Sequence, residues 1–182
     1  MYVDLLCPDS RDNHAVWKQL MNEESPIPGR KYSDIVHMRV VATVLPYHMH
    51  SWNIAKGISY LEHVCYREEG NVCVMDEYAE LSWQHIDQLA HNTSLSEDDF
   101  TKHWSVKVGE TFDLNDEEFY RIYTKFDVDS TEWKTREAWK YAASIGVSGT
   151  PTFFVNGVKI DSAPYTMDGW KQFFEDIIKD HD

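Results

Sequence analysis

Apolar and polar positions along the chain set out an alternating order of strands and helices. "MYVDLL" at the start reads as a strand, and apolar positions Val16, Trp17 and Leu20 mark a helix over residues 8 to 22. Pro8 suits its first position, where a missing N–H costs nothing. "SPIPGRK" breaks the chain. "SDIVHMRVVATVL" alternates at Val36, Met38 and Val40 and then turns continuously apolar, as a strand entering a covered sheet does, and Pro46 ends it.

Helical periods then take over. Ser51 is placed to cap a helix with Trp52, Ala55, Ile58, Leu61 and Cys65 on one face, and a second helix is predicted from residue 74 to 91. Serine followed by acid in "SEDDF" is a capping signature at Ser96. Asn115 caps a helix burying Phe119, Ile122 and Phe126, and another runs from about 130 to 145 and stops at Gly146. "TPTFFVNGVKI" is a strand, an Asn-Gly turn and a strand, a hairpin signal. Thr166 opens a last helix with Trp170, Phe173, Phe174, Ile177 and Ile178 inward. The order is β-α-β, a block of helices, then α-β-β-α. No internal repeat or low-complexity segment interrupts it.

Composition narrows the function classes. The chain has 182 residues, enough for one domain with a sizeable core, and an apolar content of 42% points to packing. A formal charge of -14 repels phosphate backbones and anionic lipid, so neither nucleic acid nor a membrane surface is an expected partner. No apolar run is long enough for a transmembrane helix. The start lacks the basic region of a signal peptide and enters directly on a strand, as expected of a mature start whose leader is missing.

Of three cysteines, Cys65 and Cys73 lie eight residues apart, as a short disulfide or as two small buried thiols. Asn92 opens an Asn-x-Ser sequon that matters only in a secretory compartment. Both features lean toward a secretory or extracellular location, with the cytoplasm as the alternative. Cys7 is the odd thiol. At a strand-to-helix junction it faces unpaired N–H groups and the positive end of the dipole, which favour negative charge on sulfur, although Asp9 in the same turn opposes it. Taken alone, Cys7 reads first as a buried structural thiol, and Pro151 as the entrance to an ordinary hairpin.

Taken together, "DLLCPDS" and "SGTPTFFVNG" resemble the thioredoxin superfamily, specifically its DsbA-like branch. The first sits where that family carries Cys-Pro-x-Cys, and the second is close to its threonine-cis-proline loop and hairpin. Far more residues separate Cys7 from Pro151 than a plain thioredoxin core needs. The surplus falls where DsbA-like proteins insert a helical subdomain, and "LPYHMHSWNIAKG" is similar to the entry into the first inserted helix. The resemblance implies a single α/β domain over 1–182, with a thioredoxin core at about 1–50 and 132–182 and a helical insertion at about 51–131. It implies a cis bond at Pro151 facing Cys7, with Cys7 as nucleophile, Pro8 as modulator, and Thr150 and Pro151 as the substrate-positioning loop. His48 falls near the active site, where it stabilises thiolate or contacts substrate.

Ser10 departs from the family pattern, because the resolving cysteine is missing. Cys7 can attack a disulfide, but release falls to glutathione, to the substrate's second cysteine, or to Cys65 or Cys73 if near. Ser10 can still donate a hydrogen bond to the thiolate. The expected function is monothiol reduction, isomerisation or glutathione-linked chemistry on a cysteine-containing protein or peptide. No cofactor is required and glutathione can serve as co-substrate. A non-enzymatic peptide-binding or chaperone-like module is the alternative, and a kappa-class-like glutathione transferase a lesser one. No metal site is expected. His48 and His50 lack a third ligand and fit a polar surface cleft. The calcium-loop mimic at Asp127 and Asp129 fails at Glu132 and Ala138, leaving a helix cap. The oligomeric state stays open.

Overall fold

The computed structural model describes residues 1–67, 73–124 and 131–179. It is a mixed α/β architecture, mostly helical. Strand β1, Tyr2–Val3, pairs in parallel with β2, Val41–Ala42, with Tyr2 opposite Val41. On its other edge Tyr2 exchanges both backbone hydrogen bonds with Thr152, at 2.8 and 3.0 Å. That bridge leads into β3, Phe154–Val155, which turns back antiparallel as β4, Val158–Lys159. Asn156 and Gly157 take positive φ angles of 49° and 84°, the two-residue turn whose twist matches the strands it joins. The β1–β2 and β3–β4 pairs are thus two two-stranded sheets, linked through the Tyr2–Thr152 bridge.

The second strand is much shorter than its apolar pattern predicts. Tyr32–Asp34 winds into a 3-10 turn, closed by the Lys31 N–H on Asp34 Oδ2 at 2.8 Å. Val36 and Met38 pack half-buried against a core from irregular chain, and Val40 is exposed. Alternation reported which side chains face inward; the ladder needs a partner, and β1 offers only two residues.

Helix α1, Pro8–Leu20, and α8, Met167–Lys179, pack together on one side with the hairpin. Their core is Trp17, Leu20, Tyr32, Phe153, Trp170 and Phe174, with the Trp17 and Trp170 rings 4.7 Å apart edge to face. Thr166 Oγ1 accepts the Gly169 N–H at 3.2 Å and starts α8. On the other side a larger core takes Val3, Leu5 and Leu6 into a block of helices.

That block comprises α2 (Ser51–Arg67), α3 (Met75–Gln84), α4 (Ile86–Leu89), α5 (Glu97–Phe112) and α6 (Asp116–Thr124), with α7 (Thr131–Ser144) returning to the hairpin. Ser96 caps α5 by accepting the Asp99 N–H at 3.1 Å, and Asn115 Oδ1 accepts from Glu118 N at 2.9 Å to start α6. Gly146, at φ 81°, ends α7. Two expectations need correction. Ser51 is the first residue of α2, and among the described residues its buried hydroxyl has no hydrogen-bond partner, so it is not a side-chain cap. The single helix expected over 74 to 91 is two, because His85 leaves helical geometry and turns its Nδ1–H onto Leu81 O at 2.8 Å. Phe126 and the calcium-loop mimic at Asp127 and Asp129 lie outside the described residues. Among the described residues no helix is long and apolar enough to cross a membrane.

Two contacts set how α2 packs. Tyr78 of α3 is fully buried, donates to Ile54 O at 2.7 Å and accepts from Trp104 Nε1 at 3.0 Å. Its ring lies against Gly57, where a Cβ would collide with the hydroxyl. On the opposite flank, Glu132 of α7 holds Lys56 Nζ at 2.7 Å and Trp52 Nε1 at 2.9 Å on one oxygen, and Arg136 Nε at 2.8 Å on the other. Burial alone would raise the Glu132 pKa; the three donors outweigh it and bring it from 4.5 to about 2.

Gly57→Ala is expected to cost about 1–3 kcal/mol by overpacking, read from urea unfolding. An unchanged midpoint would show that Tyr78 has room to move. Glu132→Gln is expected to destabilise at neutral pH by about 3 kcal/mol, since Lys56 keeps its charge in a buried setting. The folded pKa of Glu132 lies below its unfolded value, so its contribution is complete above pH 4.5 and fades as pH falls toward about 2. The gap between wild type and variant is therefore expected to narrow across that window, and a constant gap would contradict the assignment.

Candidate functional site

Cys7 lies where β1 hands over to α1. Its backbone is extended, at φ -93° and ψ 120°, which makes it the N-cap residue, with Pro8 following at the first helical position. The Cys7 N–H donates to Asp4 O and its carbonyl accepts from Arg11 N, both at 3.1 Å. The side chain is 5% exposed, while Pro8 stands exposed beside it. The thiol donates to Thr150 O at 3.4 Å, and Thr150–Pro151 is a cis peptide.

The two segments meet because the sheet joins them. Tyr2, just before the cysteine loop, bonds Thr152, just after the proline. Thr152 Oγ1 also donates to Gly149 O at 2.6 Å and braces the proline loop from inside. Among the described residues the Thr150 N–H takes no protein hydrogen bond, and Thr150 Oγ1 is buried without a partner.

Beneath Cys7 sits a residue that sequence reasoning passed over. Asp4 has no exposed surface. One carboxylate oxygen accepts the Leu6 N–H at 2.7 Å and the other the Leu45 N–H at 2.6 Å. Its carbonyl takes Cys7 N and the indole N–H of Trp83, at 3.2 Å, and its N–H donates to Ser10 Oγ at 3.3 Å. A lone aspartate inside an apolar strand, directly before "LLCP", was the available signal.

Ser10 is fully buried, and its oxygen accepts the Asp4 N–H, which the strand-to-helix turn brings over the first turn of α1. Accepting that bond leaves the hydroxyl proton free to be donated. His48 also reaches this network through Asp4. Its Nδ1 lies 3.2 Å from Asp4 Oδ1, within ion-pair distance but out of hydrogen-bond alignment.

His48, 8% exposed, lines a cleft whose walls are mostly apolar, whereas His50, 5% exposed, is packed inside and does not line a polar surface cleft as expected. The His50 ring stacks on Phe100 at 4.0 Å, its Nε2–H donates to Asn92 O at 3.1 Å, and burial lowers its pKa. Asn92 lies in the loop between α4 and α5, with its side-chain oxygen accepting from Ser94 N and Oγ. Cys65 and Cys73 form a disulfide, Cα–Cα 4.9 Å, between the end of α2 and the start of α3. Bridged to each other, neither is a free thiol to resolve an adduct on Cys7.

Next to His48 a cavity of about 540 Å³ opens between the β2–α2 loop and α7, lined by Leu45, His48, Met49, Trp52, Glu132 and Trp139. Met49 and Trp139 are exposed at its rim, with exposed Tyr47 beside it in the same loop. Among the described residues no three metal-ligating side chains include Cys7.

Asp4→Asn replaces one acceptor with an amide N–H that faces a backbone donor. It is expected to cost about 1–3 kcal/mol in urea unfolding, the penalty of one unsatisfied buried group. A change within experimental error would show that Leu6 or Leu45 finds another acceptor.

No protein-family model matches this chain, and neither a curated protein nor a solved structure does.

Proposed function

We propose that this chain is a DsbA-like member of the thioredoxin superfamily that acts as a monothiol thiol-disulfide oxidoreductase through Cys7. The observation that carries this reading is the thiol at the N-cap of α1, 3.4 Å from Thr150 O across the cis Thr150–Pro151 bond. The parallel β1–β2 pair, its bridge to Thr152 ahead of the β3–β4 hairpin, and the placement of α2 to α6 between β2 and α7 support it. So does the Thr150 N–H, which is available to an extended peptide backbone.

The chemistry follows from one sulfur. As thiolate, Cys7 attacks one sulfur of a substrate disulfide. The Cys7 mixed disulfide forms, the original S–S bond breaks, and the other sulfur leaves as thiolate and takes up a proton. When the adduct is with glutathione, a second glutathione thiolate attacks it, giving oxidised glutathione and free Cys7. When it is with a protein, that protein's second cysteine can displace Cys7 and leave a rearranged disulfide. Ser10 offers no sulfur, so net oxidation of dithiols is not the activity proposed. The Cys65–Cys73 bridge supports an oxidising, secretory or extracellular setting, as does the sequon at the half-buried Asn92.

A second reading, a peptide-binding module without turnover, is favoured by one observation: the thiol is nearly enclosed and its proton is engaged by Thr150 O.

The test is reduction of a glutathione mixed disulfide with glutathione as reductant. Wild type is expected to turn over, and Cys7→Ser to fall to the uncatalysed rate with an unchanged thermal midpoint. Ser10→Cys is expected to gain net dithiol oxidation. A wild-type Cys7 that neither turns over nor alkylates below pH 7 would leave the binding module as the surviving reading.

A further inference from the structure

A second cluster of chemistry-bearing side chains lies further along α1, away from Cys7. His14 and Lys18 share one face of α1, and Asp76 and Glu80 share one face of α3, each pair one helical turn apart. The two faces meet. His14 Nε2 is 2.9 Å from Asp76 Oδ1, and Lys18 Nζ is 3.0 Å from Asp76 Oδ2 and also bonded to Glu80 Oε1. His14 is 3% exposed and its ring packs against Trp83, centroids 4.9 Å apart, which fixes its direction. A cavity of about 540 Å³, lined in part by His14, Lys18, Glu80 and Trp83, opens onto the cluster.

We propose that His14, Asp76 and Glu80 form a binding site for a divalent transition-metal ion of the zinc class. Their ligand atoms all lie within 4.8 Å of one another, so small side-chain rotations bring them around one ion. One imidazole nitrogen and two carboxylate oxygens suit zinc and its neighbours; calcium wants six or more oxygens. Ligation through Nε2 takes the ring with its proton on Nδ1.

The cluster already attracts a cation, because the Lys18 ammonium occupies the space between the carboxylates. Lys18 is a removable occupant, since its side chain is 49% exposed and can swing into water. A doubly charged ion there neutralises both carboxylates, and a chain with a formal charge of -14 concentrates cations at its surface. Three protein ligands leave a fourth position facing the cavity, where water or an anionic ligand completes the shell. A bound ion would also brace α1 against α3.

The probe is zinc chloride, titrated into the full chain by calorimetry in a non-chelating buffer. Wild type is expected to show one saturable site that Glu80→Gln and Asp76→Asn weaken by at least about tenfold, the loss that even a supporting partner causes. These residues are half-exposed, so the variants keep the fold, which the thermal midpoint without metal verifies. Lys18→Gln removes the competing ammonium and is expected to bind zinc more tightly than wild type. Zinc should raise the thermal midpoint of wild type and of Lys18→Gln, but not of Glu80→Gln. Absence of saturable binding in both wild type and Lys18→Gln would overturn the proposal. Binding that Glu80→Gln and Asp76→Asn leave unchanged would overturn it too, by placing the ion on other histidines or on Cys7.

Discussion

A carboxylate with no exposed surface sits under the junction of β1 and α1, and four segments meet around it. Removing a carboxylate from water costs several kcal/mol unless donors replace the water. At Asp4 the donors are the backbone of Leu6 and Leu45, with the His48 ring close by. Its own backbone then receives Cys7 and Trp83 and donates to Ser10. One residue thus ties the first strand, the first turn of α1, the β2–α2 loop and α3 to a common point. The position of the Cys7 loop follows from that constraint, and the serine three residues on serves it as an acceptor.

Helix α1 consequently buries two faces. Trp17 and Leu20 enter the core shared with α8 and the hairpin, while Ser10, Asn13 and His14 are buried toward the helical block. A helix wedged between two cores carries polar residues inside wherever partners exist. Here the partners are the Asp4 N–H for Ser10, the Asp9 carbonyl for Asn13 and the Asp76 carboxylate for His14.

This explains which parts of the molecule could be read along the chain. Signals contained within a few residues were legible: Pro8 at a helix start, the Ser96 and Asn115 caps, Gly146 after α7, and the Asn156–Gly157 turn. The opposition of Cys7 and Thr150 was legible only by pairing two distant motifs. Asp4 was not, because a charge in a strand looks like a local defect until Leu45 and Trp83 fold onto it. For the same reason His50 looked like a surface residue; a ring stacked on Phe100 is a tertiary fact. The extent of β2 was overread because inward-facing positions were mistaken for a hydrogen-bonded ladder.

Lys56, Trp52, Glu132 and Arg136 have a consequence for how such a chain can vary. They fasten the beginning of α2 to the beginning of α7, the places where the path leaves the sheet and comes back to it. Glu132 closes the neck between these two helix starts with one buried carboxylate. Closure entropy grows slowly with loop length, so the neck is indifferent to how much chain it encloses. Length can therefore drift in the connections between these helices, while the side chains that bury Val3, Leu5 and Leu6 and the Trp83 indole on Asp4 must stay for Cys7 and Thr150 to keep facing each other.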